Sequence, residues 1–182
     1  SVSAFLLNRS SDLLDLGWDA SGNTGGCGVC IHHPNRDVKK ISTVASTPVS
    51  TEYEGYTPGN NYTYWKVNWA STENGYGTTE VGSSGSPLLN SSHRIIGQLY
   101  GGRSNCSDQS LPDWFGKFSV SWTGNGDPSI CRRLNHWLDP DNSGALTKDG
   151  AYNCSIEGPD FVCDSSVYVV NNLPSGYTVE WD

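Results

Sequence analysis

Methionine is absent from this chain of 182 residues, and charged residues make up only 16% of it. The 11 Lys and Arg are outnumbered by 19 Asp and Glu, which gives a net charge of −8. Because neutralising a phosphate backbone needs concentrated positive charge, we expect no nucleic-acid binding. No apolar run approaches the roughly 20 residues that cross a bilayer, so we expect no membrane span. The first residues also lack the basic-then-apolar pattern of a signal peptide.

The residues present in abundance favour short strands. Gly (21) is frequent together with Ser, Thr and Asn, and Trp (7) and Tyr (9) are plentiful. Such a composition suits turns and strands better than helices. Apolar or alternating segments predict strands over 2–7, 13–18, 28–32, 38–44, 62–69, 87–90, 94–100 and 115–122. Ser91-Ser92-His93 predicts a hairpin turn between two of them, and strands at this spacing predict a barrel or a sandwich.

Only residues 128–138 have the periodicity of a helix. Four apolar side chains share one helical face there: Ile130, Leu134, Trp137 and Leu138. Asp139-Pro140 ends the segment. The residues from Asp139 onward resemble the first half of a calcium-binding loop. Position twelve is Gly150 rather than Glu, so we expect a plain turn.

The composition changes after residue 147. Lys148-Asp149-Gly150 is typical of a linker, and a new strand-rich stretch begins at Tyr152. Roughly 30 residues are too few for a β-sandwich, which takes about 100. We therefore predict one domain over 1–147 and the incomplete start of a second over 148–182.

Six cysteines in a polar chain indicate disulfides and an oxidising, extracellular compartment. The alternative is a metal site, since Cys27, Cys30, His32 and His33 lie within seven positions. Adjacent histidines cannot easily face one ion, and zinc sites usually use two separated ligand pairs. A small disulfide loop, or two cysteines with different partners, is therefore the preferred interpretation.

One segment has residues suited to acyl transfer: Gly82-Ser83-Ser84-Gly85-Ser86-Pro87. A tetrahedral oxyanion is held by preorganised N–H donors. Gly82 can turn its N–H into such a hole, which a Cβ would hinder. Ser84 would contribute a second N–H and the attacking hydroxyl. Gly/Ser runs are also common linkers, but this one leads directly into the apolar hairpin 87–100. We call residues 82–87 the nucleophile loop.

Other motifs accompany the nucleophile loop in a characteristic order. They are Gly17-Trp18-Asp19, Ile31-His32-His33-Pro34-Asn35, Ile96-Gly97-Gln98-Leu99-Tyr100-Gly101-Gly102, Cys106, Asp113-Trp114-Phe115-Gly116-Lys117, Ser121-Trp122 and Trp137-Leu138-Asp139-Pro140. Over about residues 1–151, this order resembles the C-terminal half of a chymotrypsin-like serine protease of the bacterial lysyl endopeptidase type. The tail, with Phe161-Val162-Cys163 and Trp181, looks like the opening of the Ig-like modules of secreted Bacteroidetes proteins.

The resemblance implies an all-β fold. We expect the C-terminal six-stranded barrel of a trypsin-like double β-barrel with a C-terminal helix, followed by the first strands of an Ig-like sandwich. It also implies a secreted bacterial serine endopeptidase that cleaves peptide bonds after Lys, or after Arg, through an acyl-enzyme. No cofactor and no metal are implied, and the partners are protein or peptide substrates with basic residues.

The resemblance assigns roles to individual residues. Ser84 is the nucleophile, and the N–H groups of Gly82 and Ser84 form the oxyanion hole. Leu99-Tyr100-Gly101 pairs with the substrate backbone as an added strand. Asp113 lies in the primary specificity pocket, where a carboxylate would pair with a basic side chain; the alternative is a solvated acid in a turn. The family has a histidine where this chain has Tyr100, which leaves the choice between Lys and Arg open.

No general base for Ser84 is evident. His32 and His33 match a family motif that is not catalytic, and His93 and His136 fall in a turn and in the predicted helix. A serine without its base loses most of its nucleophilicity. We therefore expect this chain alone to be inactive, with an N-terminal barrel contributing the triad His and Asp. The alternative is a protease-like scaffold that has lost its triad and acts with Ig-like modules in adhesion or ligand binding.

Overall fold

A computed structural model describes residues 14–55, 62–73, 75–152, 155–157 and 169–171, with side chains for most of 16–150. Its strands are β1 (Leu14–Asp15), β2 (Gly17–Asp19), β3 (Val29–His32), β4 (Lys40–Thr43), β5 (Val49–Thr51), β6 (Tyr64–Val67), β7 (Ser71–Thr72), β8 (Gly75–Tyr76), β9 (Pro87–Leu89), β10 (Arg94–Gly102), β11 (Asp113–Lys117), β12 (Thr147–Lys148), β13 (Ala151–Tyr152), β14 (Ser155–Glu157) and β15 (Val169–Asn171). Its α-helices are α1 (Phe118–Thr123) and α2 (Asn135–Leu138), and single 3₁₀ turns cover Pro34–Arg36, Tyr53–Gly55, Gly124–Gly126 and Ile130–Arg132.

Six strands close into a barrel. β4, β3, β9, β10, β11 and β6 are hydrogen-bonded in that order. The sheet continues from β6 to β5, but β4 and β6 also meet beyond their ends. There an antiparallel bridge joins Val44 to Trp69, and the N–H of Ala45 donates to the carbonyl of Asn68 (2.8 Å). Because this bridge connects the ends of β4 and β6, the sheet closes on itself. The predicted all-β barrel is confirmed.

The barrel is filled by alternating side chains. On β6 and just after it, Trp65, Val67 and Trp69 are buried, which is the face that the alternation of this segment predicts. They pack with the inward residues of the other strands: Cys30, Val44, Leu88, Ile96, Leu99 and Phe115. Trp65 donates its indole N–H to the carbonyl of Ile96 (3.1 Å), so its one polar atom is satisfied inside the core.

The predicted strand over 115–122 is wrong in its second half, which forms helix α1. Phe118 and Trp122 are four residues apart, and both pack on Trp18 of β2, with ring centroids 6.1 and 4.5 Å away. Both a helix and a strand would place these two rings on one face, so their spacing does not distinguish the two conformations. The conformation is instead decided by packing of both rings on Trp18 of β2. Gly124 ends the helix with φ of 70°.

The predicted C-terminal helix is present as α2, but it is much shorter than the predicted range 128–138. Only one 3₁₀ turn and the single turn of α2 form, separated by the extended Arg133. Leu134 packs partly against the Trp18 cluster, but Ile130 and Trp137 are 47% and 62% exposed. Since most helix stability in proteins comes from burying the apolar face, a face with one buried residue does not hold a long helix. The turn expected after it is present, because Asp139 accepts hydrogen bonds from the N–H groups of Ser143 and Gly144.

The segment around residue 150 pairs with the start of the described chain. β12 is antiparallel to β2, and β13 is antiparallel to β1. Further on, β14 and β15 form a separate antiparallel pair. The division at residue 147 and the Ig-like character of the tail stay predictions.

Cysteine pairing is not seen where side chains are described. Cys27, Cys30, Cys106 and Cys131 are free thiols, while Cys154 and Cys163 lie outside the described residues. Cys30 is buried in the barrel and Cys27 is exposed, so these two side chains lie in different environments. Within the described ranges, no three His, Cys, Asp or Glu side chains gather as metal ligands. Nor does any described helix have the length and apolarity to cross a membrane.

Candidate active site

The predicted hairpin carries the nucleophile loop. β9 and β10 are antiparallel, with Leu89 opposite Ile95, and His93 takes the left-handed conformation at the turn (φ 58°). Asn90 stabilises this turn, because its side-chain oxygen accepts hydrogen bonds from the N–H groups of Ser92 and Arg94. The nucleophile loop enters β9 at the other end of the hairpin, so the barrel fixes where the loop leaves the sheet.

The nucleophile loop exposes the serine hydroxyl. Ser84 is exposed, whereas its neighbours Ser83 and Ser86 are buried at 0% and 5% exposure. Gly82 and Gly85 have φ of 100° and 81°, a region that side chains with a Cβ rarely adopt. The glycines at these two positions therefore allow the sharp turn that presents Ser84.

The two amides expected to form an oxyanion hole are not used in sheet pairing. Within the described chain, neither the N–H of Gly82 nor the N–H of Ser84 takes part in a hydrogen bond, and the Ser84 hydroxyl has no partner either. By contrast, the N–H of Gly85 donates to the carbonyl of Leu99 (2.8 Å), and the N–H of Ser83 donates to the carbonyl of Glu80 (3.0 Å). Free donors of this kind are what stabilisation of an oxyanion requires.

Leu99 anchors the nucleophile loop to the sheet. Its carbonyl accepts the N–H of Gly85, and its own N–H donates to the carbonyl of Ser86 (2.9 Å). β9 pairs with β10 only as far as Gln98, opposite Pro87. Beyond Leu99, β10 is therefore paired with β11 on one side, and its other side is open in the described structure.

Aromatic rings flank this open edge. Tyr100 is 60% exposed and makes edge-on contacts with Tyr53 and Tyr64, at centroid distances of 4.9 and 5.2 Å. A groove of about 280 Å³ lies beside Tyr100, over the outer face of the sheet, and is lined in part by Tyr64 of β6, Lys117 of β11 and residues of α1. No pattern in the sequence marks Tyr53 or Tyr64, because only the fold brings them beside Tyr100.

Asp113 is completely buried at the start of β11, so the alternative of a solvated turn acid is wrong. One carboxylate oxygen, Oδ2, accepts hydrogen bonds from Trp69 Nε1 (2.7 Å), Thr79 Oγ1 (2.7 Å) and Ser104 Oγ (2.5 Å). The other, Oδ1, accepts only the N–H of Ser104 (3.1 Å). A buried carboxylate needs such donors, and nothing in the sequence pattern identified these three residues.

Gly102 of β10 lies directly against Asp113. A Cβ at Gly102 would come within 1.7 Å of Asp113 Oδ1. Only glycine therefore allows the open edge and the buried carboxylate to lie this close.

This contact predicts the effect of a single substitution. Gly102→Ala is expected to lower the free energy of unfolding by about 1–3 kcal/mol, the usual cost of overpacking. Gly101→Ala is the matched control, because a Cβ there would meet only the Tyr53 hydroxyl, at 3.5 Å. Urea unfolding of the full-length protein measures both. Equal stability of the two variants would show that Asp113 does not occupy the described position.

His32 lies beneath the nucleophile loop and is 2% exposed. Its Nδ1 is 2.8 Å from Ser83 Oγ, and its Nε2 is 3.0 Å from Ser42 Oγ. Burial lowers the pKa of this histidine below its usual value, and nearby His33 lowers it further, although the charge of Asp113 raises it. His32 is thus held as a neutral ring between two serines.

The remaining histidines lie at the surface. His33, His93 and His136 are exposed, and His33 Nδ1 is 3.1 Å from the carbonyl of Asp37. In the part of the chain that has described side chains, no histidine is hydrogen-bonded to Ser84. The general base that the sequence analysis did not find is therefore not found among these residues.

Comparison with known proteins identifies a family and a relative with a shared segment. The family described as "Lysyl endopeptidase, C-terminal domain" matches residues 8–116, which is more than half of the chain. The chain is also similar to karilysin of Tannerella forsythia, with 44% identity over 48 residues. That stretch covers 26% of this chain and 10% of karilysin, so the chain spans only a small part of that relative.

Proposed function

Because this chain belongs to the family of lysyl endopeptidase C-terminal domains, we propose that it is the substrate-binding barrel of a secreted serine endopeptidase. The enzyme cleaves peptide bonds after basic residues and proceeds through an acyl-enzyme. In this proposal the barrel covers residues 1–147, and residues 148–182 begin an Ig-like module.

One observation carries the proposal. The exposed Ser84 lies on a turn formed by Gly82 and Gly85, and the N–H groups of Gly82 and of Ser84 itself have no partner within the described chain. Both residues are exposed, and their N–H groups are not committed to sheet pairing, so these donors are open to a bound oxyanion. An oxyanion bound by Gly82 and Ser84 satisfies both donors.

The chemistry follows from these positions. Ser84 Oγ attacks the scissile carbonyl, the carbonyl oxygen becomes an oxyanion between the two N–H groups, and collapse expels the amine and leaves the acyl-enzyme. Water then hydrolyses the acyl-enzyme and releases the carboxylic acid product. The proton of Ser84 passes to a histidine, oriented by an aspartate, from an N-terminal barrel. Without that barrel the chain described here does not turn over substrate.

Asp113 accounts for the preference for basic residues in this proposal. Its Oδ1 has a single donor and lies beside Gly102, whereas Oδ2 has three donors. Oδ1 is therefore the oxygen that can accept a charged donor from the substrate. Tyr100 and Gly101, on the open edge of β10, pair with the substrate backbone next to that pocket. Leu99, the third residue predicted to do so, already uses its N–H and its carbonyl to hold the nucleophile loop.

The decisive experiment uses a fluorophosphonate probe on the folded full-length protein. The probe reacts with an activated serine without needing a basic side chain in the pocket. We expect labelling at Ser84, identified by mass spectrometry of the modified peptide, together with cleavage of a peptide amide after Lys. Folded protein with no labelling would contradict the proposal.

A second candidate is a protease-like scaffold that binds ligands or mediates adhesion with Ig-like modules. It is favoured by the absence of a histidine bonded to Ser84 among the described side chains. The same probe separates the two candidates, because a scaffold without a general base leaves Ser84 unlabelled while the protein remains folded.

A further inference from the structure

We infer that His32 is a positioning residue for catalysis: it holds the Ser83 side chain, and through it the peptide units that form the oxyanion hole. This inference rests on the proposed function, since it assigns His32 a part in the reaction of Ser84. His32 does not touch the substrate in this role. It acts through Ser83, which lies between Gly82 and Ser84.

The geometry places His32 at the centre of a buried chain of hydrogen bonds. His32 Nδ1 is 2.8 Å from Ser83 Oγ and His32 Nε2 is 3.0 Å from Ser42 Oγ. Ser42 Oγ in turn donates to the carbonyl of Thr78 (2.9 Å) and accepts its N–H (3.2 Å). The ring thus connects the nucleophile loop to strand β4 and to the segment that leads into the loop.

The direction of these hydrogen bonds follows from Ser42. Its single hydroxyl hydrogen is committed to the carbonyl of Thr78, which can only accept. Ser42 must therefore accept from His32 Nε2–H, which leaves Nδ1 without a hydrogen. Nδ1 accepts the hydroxyl hydrogen of Ser83, and this is consistent with the neutral ring that burial favours.

Ser83 and His32 are not themselves a catalytic pair. The Ser83 hydroxyl is buried and hydrogen-bonded to His32 Nδ1, whereas the Ser84 hydroxyl is exposed and has no partner among the described residues, so Ser84 remains the nucleophile. What their hydrogen bond fixes is the orientation of the peptide units on both sides of Ser83. The unit between Ser83 and Ser84 contributes the N–H of Ser84, and the N–H of Gly82 belongs to the neighbouring unit, between Val81 and Gly82.

Few other contacts hold this point of the loop. The backbone of Ser83 donates to the carbonyl of Glu80 (3.0 Å) and accepts from the N–H of Ser86 (3.1 Å), and its Oγ accepts a long hydrogen bond from the N–H of Glu80 (3.4 Å). All of these partners lie within the same local turn. The side-chain bond to His32 reaches 51 residues back to β3. Donors stabilise an oxyanion best when they are held in place before the reaction. We therefore expect the bond from Ser83 to His32, which connects the loop to a barrel strand, to matter for the rate of reaction.

Two substitutions of His32 separate positioning from stability. In His32→Asn, the amide oxygen can replace Nδ1 as acceptor for Ser83, but the bond to Ser42 is lost. In His32→Gln, the amide nitrogen can replace Nε2 as donor to Ser42, but the bond to Ser83 is lost. Gln is also closer to His in volume, so a purely structural role predicts that His32→Gln is the better tolerated variant.

We expect the opposite order in catalysis. In the full-length protein, His32→Gln and Ser83→Ala should each lower kcat for a lysyl peptide amide by about ten-fold or more, part of the loss seen when one oxyanion donor is removed. KM should be unchanged, and His32→Asn should retain more of kcat than His32→Gln. The double variant His32→Gln/Ser83→Ala should be no slower than either single one, because both break the same bond.

The outcomes are distinguishable. If wild-type protein is active, and His32→Gln and Ser83→Ala keep its kcat, the inference is overturned and the proposed function stands. If folded wild-type protein neither cleaves nor labels at Ser84, both are overturned. Should His32→Gln fail to fold, Ser83→Ala decides alone, since it removes one oxygen atom and leaves the ring in place.

Discussion

Ser84→Ala is expected to abolish peptide cleavage, with a loss of kcat of at least about a thousand-fold, because removing a catalytic nucleophile leaves only binding and oxyanion stabilisation. Fluorophosphonate labelling should vanish at the same time. The measurement is hydrolysis of a lysyl peptide amide by the full-length protein. Binding of the substrate should be retained, since the open edge of β10 and the buried Asp113 are not altered.

Ser92→Ala is the matched control for this variant. Ser92 is an exposed serine in the turn at the other end of the same hairpin, and its backbone N–H, rather than its hydroxyl, bonds to Asn90. Its replacement should leave both turnover and labelling at wild-type values. Activity that survives Ser84→Ala would remove Ser84 as the nucleophile and with it the proposed mechanism.

Asp113→Asn is expected to lower kcat/KM for cleavage after Lys and Arg by about a hundred-fold or more, because an uncompensated buried cation costs about 3–5 kcal/mol. The competing explanation is damage to the fold, since the carboxylate accepts hydrogen bonds from Trp69, Thr79 and Ser104. The rate of fluorophosphonate labelling at Ser84 separates the two. A specificity role leaves that rate unchanged, and a misfolded loop lowers it.

Asp141→Asn removes the same charge from an exposed site in the turn after α2, and it controls for the change in net charge. We expect it to behave as wild type. Unchanged cleavage after Lys and Arg in the Asp113 variant would show that the pocket assignment is wrong, even if Ser84 proves to be the nucleophile.

The strands of the barrel were predictable because each has its own pattern of apolar and polar residues. Trp65, Val67 and Trp69 alternate with polar residues, and this alternation alone identifies the face that fills the core. The hairpin was predictable from its turn residues. The turn of the nucleophile loop was predictable for a different reason. Gly82 has a φ of 100°, a backbone conformation that glycine adopts readily and other residues rarely adopt.

The errors in the prediction have a common cause. Phe118 and Trp122 suit either a strand or a helix, and the packing on Trp18 selects helix α1. Conversely, residues 128–138 have a helical pattern but little to pack against, so only short turns form. In both segments the outcome depends on whether a distant part of the chain offers a surface to pack against, which local periodicity cannot reveal.

From its residue patterns alone, this chain was predicted to be all-β with a glycine-framed serine loop, since both features depend on the alternation and the backbone preferences of neighbouring residues. The choice of a barrel over a sandwich came from the family resemblance. The surroundings of the site depended on the tertiary structure. The burial of Asp113 among three donors and the seating of His32 between Ser42 and Ser83 join residues from separate strands and loops. The positions of such polar residues follow no periodic pattern in the sequence. Closure of the barrel removes these groups from water, and only then is it decided which residues they hydrogen-bond.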